Sequence, residues 1–269
     1  MESTTVDVTF LGTGGAFSAG RRSNLALLIE AGDFHMLVEA GPMIMQQLAR
    51  ANLQAVDIER LFVSHSHGDH ALGFPMLVLN RLPHPTPLHI YTGVSTVVAL
   101  KTLWNLAYPG FDPHDINLHW HELSEQDPGE TKLVEGITLR TTVVPHPPGV
   151  PTLAARWDFA SGPSVTFATD TIPSDATVEL AHGSDLLIHE SNFSAVLQPD
   201  AAPSGYFHST AQQAGEIARR AGCPCLALVH LDSQIGEHPD VLIEEARAGT
   251  DLQVVVPEDG ERIRLNNDE

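Results

Sequence analysis

Six consecutive residues, His65-Ser66-His67-Gly68-Asp69-His70, carry three imidazoles and a carboxylate directly after the run Leu61-Phe62-Val63-Ser64. Imidazole nitrogen and carboxylate oxygen are the donors that a borderline divalent cation such as zinc prefers. In a turn leaving a strand, His65 and His67 can converge on one ion while Asp69 and His70 swing round to a second. The cluster makes poor core material, because a buried polar group without a partner is costly. What it offers is metal binding and, through a metal, activation of water.

Three more donors stand where strands should end. Val143-Val144-Pro145 runs into His146, Val165-Thr166-Phe167-Ala168-Thr169 into Asp170, and Leu226-Ala227-Leu228-Val229 into His230. Each run is apolar, rich in β-branched or aromatic residues, and of strand length. Ligands gathered along one rim of a sheet are how an α/β scaffold builds a site. Taken singly, each would be an ordinary loop residue. Four strand ends coinciding with one dense motif carry the metal-site reading.

The elements that position these residues follow from periodicity and punctuation. Strands are expected at 6–11, 25–29 and 35–39, with the turn Ala31-Gly32-Asp33 between the last two. Gly12-Thr13-Gly14-Gly15 lacks the GxGxxG spacing, and residues 16–22 do not read as a helix. A tight turn beneath the site is expected there, not a dinucleotide fingerprint. Pro42 suits the first position of a helix to residue 51. Residues 61–64 form the strand into the histidine motif, and 73–82 a short helix beside it. Pro83-His84-Pro85-Thr86-Pro87 is a stiff connector. Ser95 is expected to cap a helix through 107, ended by Pro109-Gly110. Strands follow at 116–121, 136–144, 154–159 and 164–168. Ser174 or Asp175 caps a helix ending at Gly183, and 185–189 is the next strand. Helices at 210–220, stopped by Gly222, and at 239–248 precede strands at 252–256 and 262–265. Two strand-rich blocks, each flanked by helices, predict an α/β fold with a sheet-on-sheet core. No repeat or composition break marks a linker, so residues 1–269 are expected to form a single domain.

The bulk numbers agree. Of 269 residues, 42% are hydrophobic and 18% charged, enough for a large core. Fourteen basic against thirty-four acidic side chains give a net charge of −20. That repels polyanions at long range and weighs against an extended nucleic-acid surface. The N-terminus shows no basic-then-apolar leader, and no apolar run is long enough to span a bilayer. Cys223 and Cys225, separated by Pro224, match neither a zinc knuckle nor a CxxC motif. They are expected to be small buried groups at the start of the strand into His230, in a reduced cytoplasmic setting.

HxHxDH is the signature of the metallo-β-lactamase superfamily, which this chain resembles through residues 65–70. The resemblance implies an αββα sandwich. It also implies one metal held by His65, His67, His146 and Asp170, and another held by Asp69, His70, Asp170 and His230, with Asp170 bridging. Two Zn2+ are the first expectation, with Mn2+ or Fe2+ compatible with a His/Asp set. Asp170 stands where the zinc β-lactamases carry cysteine, and His67 where flavo-diiron relatives carry glutamate. Thr171-Ile172-Pro173 stands where acyl-homoserine lactonases place a tyrosine, and there is no room for the helical C-terminal region of glyoxalase II.

A second likeness is to ribonuclease Z. Leu186-Leu187-Ile188-His189-Glu190-Ser191 is similar to that family's LIHEATF segment, and His208-Ser209-Thr210-Ala211-Gln212-Gln213-Ala214 to its H-S/T-A segment. The likeness implies that His208 is the general acid and Glu190 the carboxylate that orients it. His189, on the opposite face from Glu190, reads as structural. His35, His84, His89, His114, His119, His121, His182 and His238 are assigned no role.

Ribonuclease Z clamps transfer RNA with an arm inserted after the middle histidine. Residues 147–169 leave room only for two short strands and turns. The reading is therefore a binuclear metal hydrolase of phosphodiester-type substrates, small or short. Asp69 would help take the proton from the attacking water and His208 would protonate the departing oxygen. An esterase, lactonase or arylsulfatase using the same metals, and a non-catalytic metal-binding carrier, are the alternatives. His146-Pro147-Pro148-Gly149-Val150-Pro151 is expected to form a rigid pocket wall. Specificity is placed in the loops 83–87, 108–115 and 198–206, and family analogy allows a homodimer.

Overall fold

Alternation of apolar residues with a period of two sorts the strands into two sheets that share one core. The computed structural model describes residues 5–17, 21–83, 86–111, 116–160 and 162–266. The first sheet contains β1 (Val6–Gly12), β2 (Ala26–Ala31), β3 (Phe34–Val38), β4 (Arg60–Val63), β5 (Leu88–Gly93), β6 (Leu118–Leu123) and β14 (Arg262–Leu265), in the order β14-β1-β2-β3-β4-β5-β6. The second contains β7 (Gly129–Val134), β8 (Ile137–Val144), β9 (Thr152–Phe159), β10 (Ser164–Ala168), β11 (Leu186–Glu190), β12 (Cys225–Val229) and β13 (Gln253–Val255), in reverse chain order from β13 to β7. Each sheet is antiparallel on one side and parallel on the other. β3 to β6 run parallel in the first, and β10 to β13 in the second.

The helices cover the outer faces. α1 (Ile44–Arg50), α2 (Gly68–Ala71), α3 (Phe74–Asn80) and α4 (Val94–Ala107) follow strands of the first sheet; α5 (Asp175–Ala181), α6 (Ala211–Ala221) and α7 (Pro239–Arg247) follow strands of the second. Successive residues of one strand therefore enter different layers. In β12, Cys225, Ala227 and Val229 face the opposing sheet, while Leu226 and Leu228 face the helices with Ile217 and Leu242. In β4, Phe62 points into the inter-sheet core and Leu61 and Val63 into the helical layer with Leu77 and Trp104. Phe62 meets Trp157 edge-on across the sandwich at 5.7 Å, and Trp157 Nε1 donates to Met36 Sδ at 3.3 Å. This is the αββα arrangement that the superfamily resemblance implied.

Several boundaries differ from the sequence expectation for local reasons. α4 begins one residue before Ser95, with Gly93 at its N-cap. The Ser95 backbone and hydroxyl both donate to Glu125 instead. The second half of the histidine motif forms the helical turn α2 rather than an open turn. β5 and β7 were not anticipated, and β6 starts two residues later than expected. Ser174 caps the start of α5 and Gly222 stops α6, as expected: Ser174 accepts from Thr177 N, and Gly222 adopts φ 68°, in the left-handed region. Both cysteines are buried and unpaired. No helix among the described residues is long and apolar enough to cross a membrane. His84, His114 and parts of the loops 83–87 and 108–115 lie outside the described residues, as do residues 18–20 after the glycine turn.

Candidate metal centre

Strand ends from both sheets meet at one rim. β4 ends at Val63 and delivers His65 and His67, and α2 follows at once with Asp69 and His70. β8 ends at Val144 before His146, β10 at Ala168 before Asp170, and β12 at Val229 before His230. The Leu153 amide donates to Ser64 O at 3.1 Å, stitching the two sheets together at this edge. Asp170 and His230 take φ 51° and 54°. Such left-handed backbone is uncommon outside glycine and concentrates at functional sites.

The seven side chains fall into two sets that share one carboxylate. His65, His67, His146 and Asp170 have ligand atoms within 4.8 Å of one another, as do Asp69, His70, Asp170 and His230. Asp170 Oδ2 lies 3.6 Å from His65 Nε2 and 3.7 Å from His146 Nε2. Its other oxygen, Oδ1, lies 3.4 Å from His70 Nε2 and 3.2 Å from His230 Nε2. Asp69 Oδ2 is 3.1 Å from both His70 Nε2 and His230 Nε2, and His67 Nδ1 is 3.1 Å from His146 Nε2.

Whether these residues suit a divalent cation can be judged from their own needs. His65 Nε2 and His70 Nε2 are buried, face the cluster, and have no hydrogen-bond partner. Burial, then the neighbouring His70, holds the His65 imidazole well below its ordinary pKa, so it is neutral. Burial also pushes His67 down, and His146 down to about 4. Burial alone would raise the Asp170 carboxyl, but the imidazoles of His230 and His70 keep it well below the carboxylate range. Asp69 is lowered for the same balance of reasons. His70 is the exception. Burial opposes its charge, yet Asp170, Glu39 and Asp69 raise it well above the ordinary value. The carboxylates thus draw one positive charge into the cluster, the place a cation would fill. The lowered imidazoles of His65, His67 and His146 beside ionised Asp69 and Asp170 are suited to ligation, and the charge on His70 is the proton a cation would displace; the residues fit the group.

A second layer orients the first. Ser64 Oγ lies 2.9 Å from His65 Nδ1, and His146 Nδ1 donates to Phe207 O at 3.4 Å. Thr169 Oγ1 donates to Asp170 Oδ1 at 2.7 Å. Fully buried Glu39, at φ 68°, accepts from Ser64 N at 3.3 Å and stands 3.5 Å from His70 Nδ1. Asn192 Nδ2 is 3.2 Å from His230 Nδ1. Such partners fix tautomer and ring direction. Sequence reading missed Ser64, Glu39 and Asn192. Glu39 alone left a trace, an acidic residue ending an apolar strand just before Ala40-Gly41-Pro42.

His208 and Glu190 meet beside the cluster. His208 Nδ1 donates to Glu190 Oε1 at 3.0 Å, and its ring stacks 5.5 Å from that of His230. Glu190 is fully buried and also accepts from Thr171 N, Ser209 N and Asn192 N. Burial disfavours a charged His208, but the Glu190 hydrogen bond and charge raise it above the ordinary imidazole value. His189 is buried away from the cluster and donates from Nδ1 to Glu190 O at 2.8 Å. His89, His119 and His121, read as ordinary, stack together where β5 meets β6.

A cavity of about 400 Å3 opens over these groups. His67, Asp69, His146, Asp170, His208 and His230 line its floor; Phe17, Pro147, Phe193, Gln198, Tyr206 and Gln234 line its sides. Pro147 and the 198–206 loop thus take part in the wall, and no Lys or Arg does so among the described lining residues.

Fold and relatives define the class: a hydrolase of the metallo-β-lactamase superfamily, in its ribonuclease Z-like branch. The chain belongs, more narrowly, to the family described as Anti-Pycsar protein Apyc1, whose model matches residues 6–202. Curated relatives carry the name ribonuclease Z. That of Halorubrum lacusprofundi is 28% identical over 96% of both chains, and that of Mycobacterium tuberculosis is 28% identical over 86% of this chain and 87% of its own. Among solved structures, the metallo-β-lactamase fold protein YhfI from Bacillus subtilis superposes with a TM-score of 0.82 at 24% identity, covering 97% of this chain and 99% of its own. The short form of human tRNase Z gives 0.75 at 22% identity over 96% and 98%.

Proposed function

We propose that this chain is a binuclear metal hydrolase acting on small phosphodiesters. The observation that carries the reading is the Asp170 carboxylate, whose two oxygens face two separate sets of ligand atoms. His65, His67 and His146 would complete one set, and Asp69, His70 and His230 the other. Zinc is the metal we assign first, because nitrogen-rich sites with carboxylate suit it. Cations held there would supply Lewis acidity and a water acidified toward neutral pH.

The chain's own residues supply the rest. Asp69, part exposed at the cavity floor, accepts the proton of the attacking water. Glu190 engages His208 Nδ1 and so fixes the tautomer and ring direction, leaving Nε2 for the departing oxygen. Three backbone amides hold Glu190 in place, so the acid is oriented before substrate arrives.

The size and charge of the surroundings favour a small substrate. Between His146 and Asp170 the chain is taken up by a short loop and by β9 and β10, both paired within the sheet. That leaves little chain for a protruding arm. A net charge of −20, and the lack of lysine or arginine among the described residues lining the cavity, weigh against a long polyanion. The test combines metal analysis of the purified protein with turnover of linear and cyclic phosphodiesters of nucleotide size, lactones and aryl sulfates. Two ions per chain with phosphodiester turnover is the expected result. Turnover of lactones or sulfates alone would replace the substrate class, and fewer than two ions with no turnover would overturn the hydrolytic reading.

A further inference from the structure

Glu245 is a buried carboxylate that the chemistry above does not use. It lies in α7, 8% exposed, and no Lys, Arg or His forms an ion pair with it among the described residues. Four donors converge on it instead. Oε1 accepts from Ala195 N at 2.8 Å and Gln212 N at 3.1 Å; Oε2 accepts from Ser194 Oγ at 2.5 Å and Val196 N at 3.3 Å. Ser194 Oγ in turn accepts from Leu197 N at 3.0 Å.

These donors belong to two segments that enclose the cavity. Residues 194–197 lie between Phe193 and Gln198, both of which line it. Gln212 sits in the first turn of α6, four residues after His208, where the helix dipole also favours negative charge. The two segments are joined by the Phe193–Thr210 bridge and by Ala211 N donating to Phe193 O at 3.2 Å. α7 gives Glu245 a firm base. A Cβ at Gly215 of α6 would lie 2.0 Å from Ala246 O, and Arg219 Nη1 donates to that oxygen at 2.8 Å.

We propose that Glu245 is a positioning residue, a brace that fixes the cavity wall around Phe193 and Gln198 relative to the start of α6. The carboxylate is specific for the task. Each oxygen takes two donors, so the amide of a glutamine would turn N–H groups against two of them. Loss of the brace loosens the face that meets the substrate's substituent and leaves every metal ligand in place. The kinetic part of this assignment rests on the phosphodiester reading above.

The test compares Glu245→Gln with Glu244→Gln, a control on the exposed side of the same helix, in the metal-loaded full-length chain. Amide exchange at Ala195, Val196 and Gln212 should quicken about tenfold or more in Glu245→Gln, with metal content and exchange in β12 unchanged. KM for bis-p-nitrophenyl phosphate should rise about tenfold with kcat within about twofold, and methyl p-nitrophenyl phosphate, which lacks the second ring, should keep its KM. Unchanged exchange, or equal kinetic losses on both diesters, overturns the brace. A wild-type protein that turns over neither diester fails the phosphodiester reading, and the exchange measurement then decides the brace alone. If Glu245→Gln does not fold, Ser194→Ala removes one of the four donors, and faster exchange at Ala195 and Val196 is required of it.

Discussion

The sharpest consequence of the site concerns His208. His208→Asn removes the ring while leaving Glu190 held by Thr171 N, Ser209 N and Asn192 N, with distances of 2.9–3.1 Å. His208 belongs to neither of the two ligand sets that share Asp170, so metal content should match wild type. A positioned general acid contributes about 10²–10⁴-fold in rate, or about 2.7–5.4 kcal/mol of barrier. That contribution applies only where the leaving oxygen needs a proton. With an alkyl leaving group, kcat should fall by about 10²–10⁴-fold; with p-nitrophenolate, which leaves unaided, by less than about tenfold. The assay is steady-state kcat on matched diesters that differ only in leaving group, with metal content measured on the same samples. An equal loss on both substrates would show that His208 shapes the site without donating a proton, and the acid assignment would fall.

Other perturbations test the scaffold around the site. Gly41→Ala would place a Cβ 2.0 Å from Asp69 O and 3.2 Å from Asn24 Cβ; since Gly41 backs the α2 turn, thermal unfolding should drop by about 1–3 kcal/mol or more, with loss of bound metal. Chelation should lower the melting temperature, since a ligand at a thousandfold its dissociation constant contributes about 4 kcal/mol; an unchanged melting curve after complete metal removal would argue against a site built into the fold. Burial pushes the thiols of Cys223 and Cys225 up to about 11. At pH 8 both should resist a thiol reagent until denaturant is added. Because the unfolded thiols ionise first, folded stability should decline as pH rises from about 9 toward 11. Rapid labelling of the native protein at pH 8 would contradict the burial.

What sequence reveals here depends on whether a residue's role is local. The candidate ligands are legible because His65, His146, Asp170 and His230 each stand just past an apolar run that must end, and His67, Asp69 and His70 fall in the dense motif that His65 opens. Helix ends such as the Ser174 start and the Gly222 stop are legible because capping is a contact within a few residues. β7 is not. Its sequence, Gly129-Glu130-Thr131-Lys132-Leu133-Val134, is an edge strand with a largely polar exterior, made a strand only by pairing with β8. β5 is short and follows a proline-rich connector, so its burial between β4 and β6 is a tertiary fact. Glu39, Asn192 and Glu245 escape for the same reason. Their partners lie 25 to 51 positions away, and nothing nearby marks a carboxylate or amide as a support rather than a surface group.

The rim also explains why strand-end residues can aim across two sheets at all. In a regular strand, successive side chains point to opposite faces, so a ligand continuing β10 or β12 would face either the inter-sheet core or the helices. Asp170 and His230 escape this choice through left-handed backbone, and Glu39 does the same after β3. For residues other than glycine that geometry costs about 1–2 kcal/mol each. It is held by bonds made just beside the bends: Glu39 N to Phe62 O at 2.8 Å, Ser191 N to Val229 O at 2.8 Å, and Leu231 N to Thr13 O at 3.1 Å. The last of these comes from the glycine turn after β1. A Cβ at Gly15 would stand 2.9 Å from Asn192 Nδ2 and 3.3 Å from the His230 ring. Gly15 is thus explained by the backbone's close approach to His230, while Gly12 and Gly14 pack against the 22–24 segment.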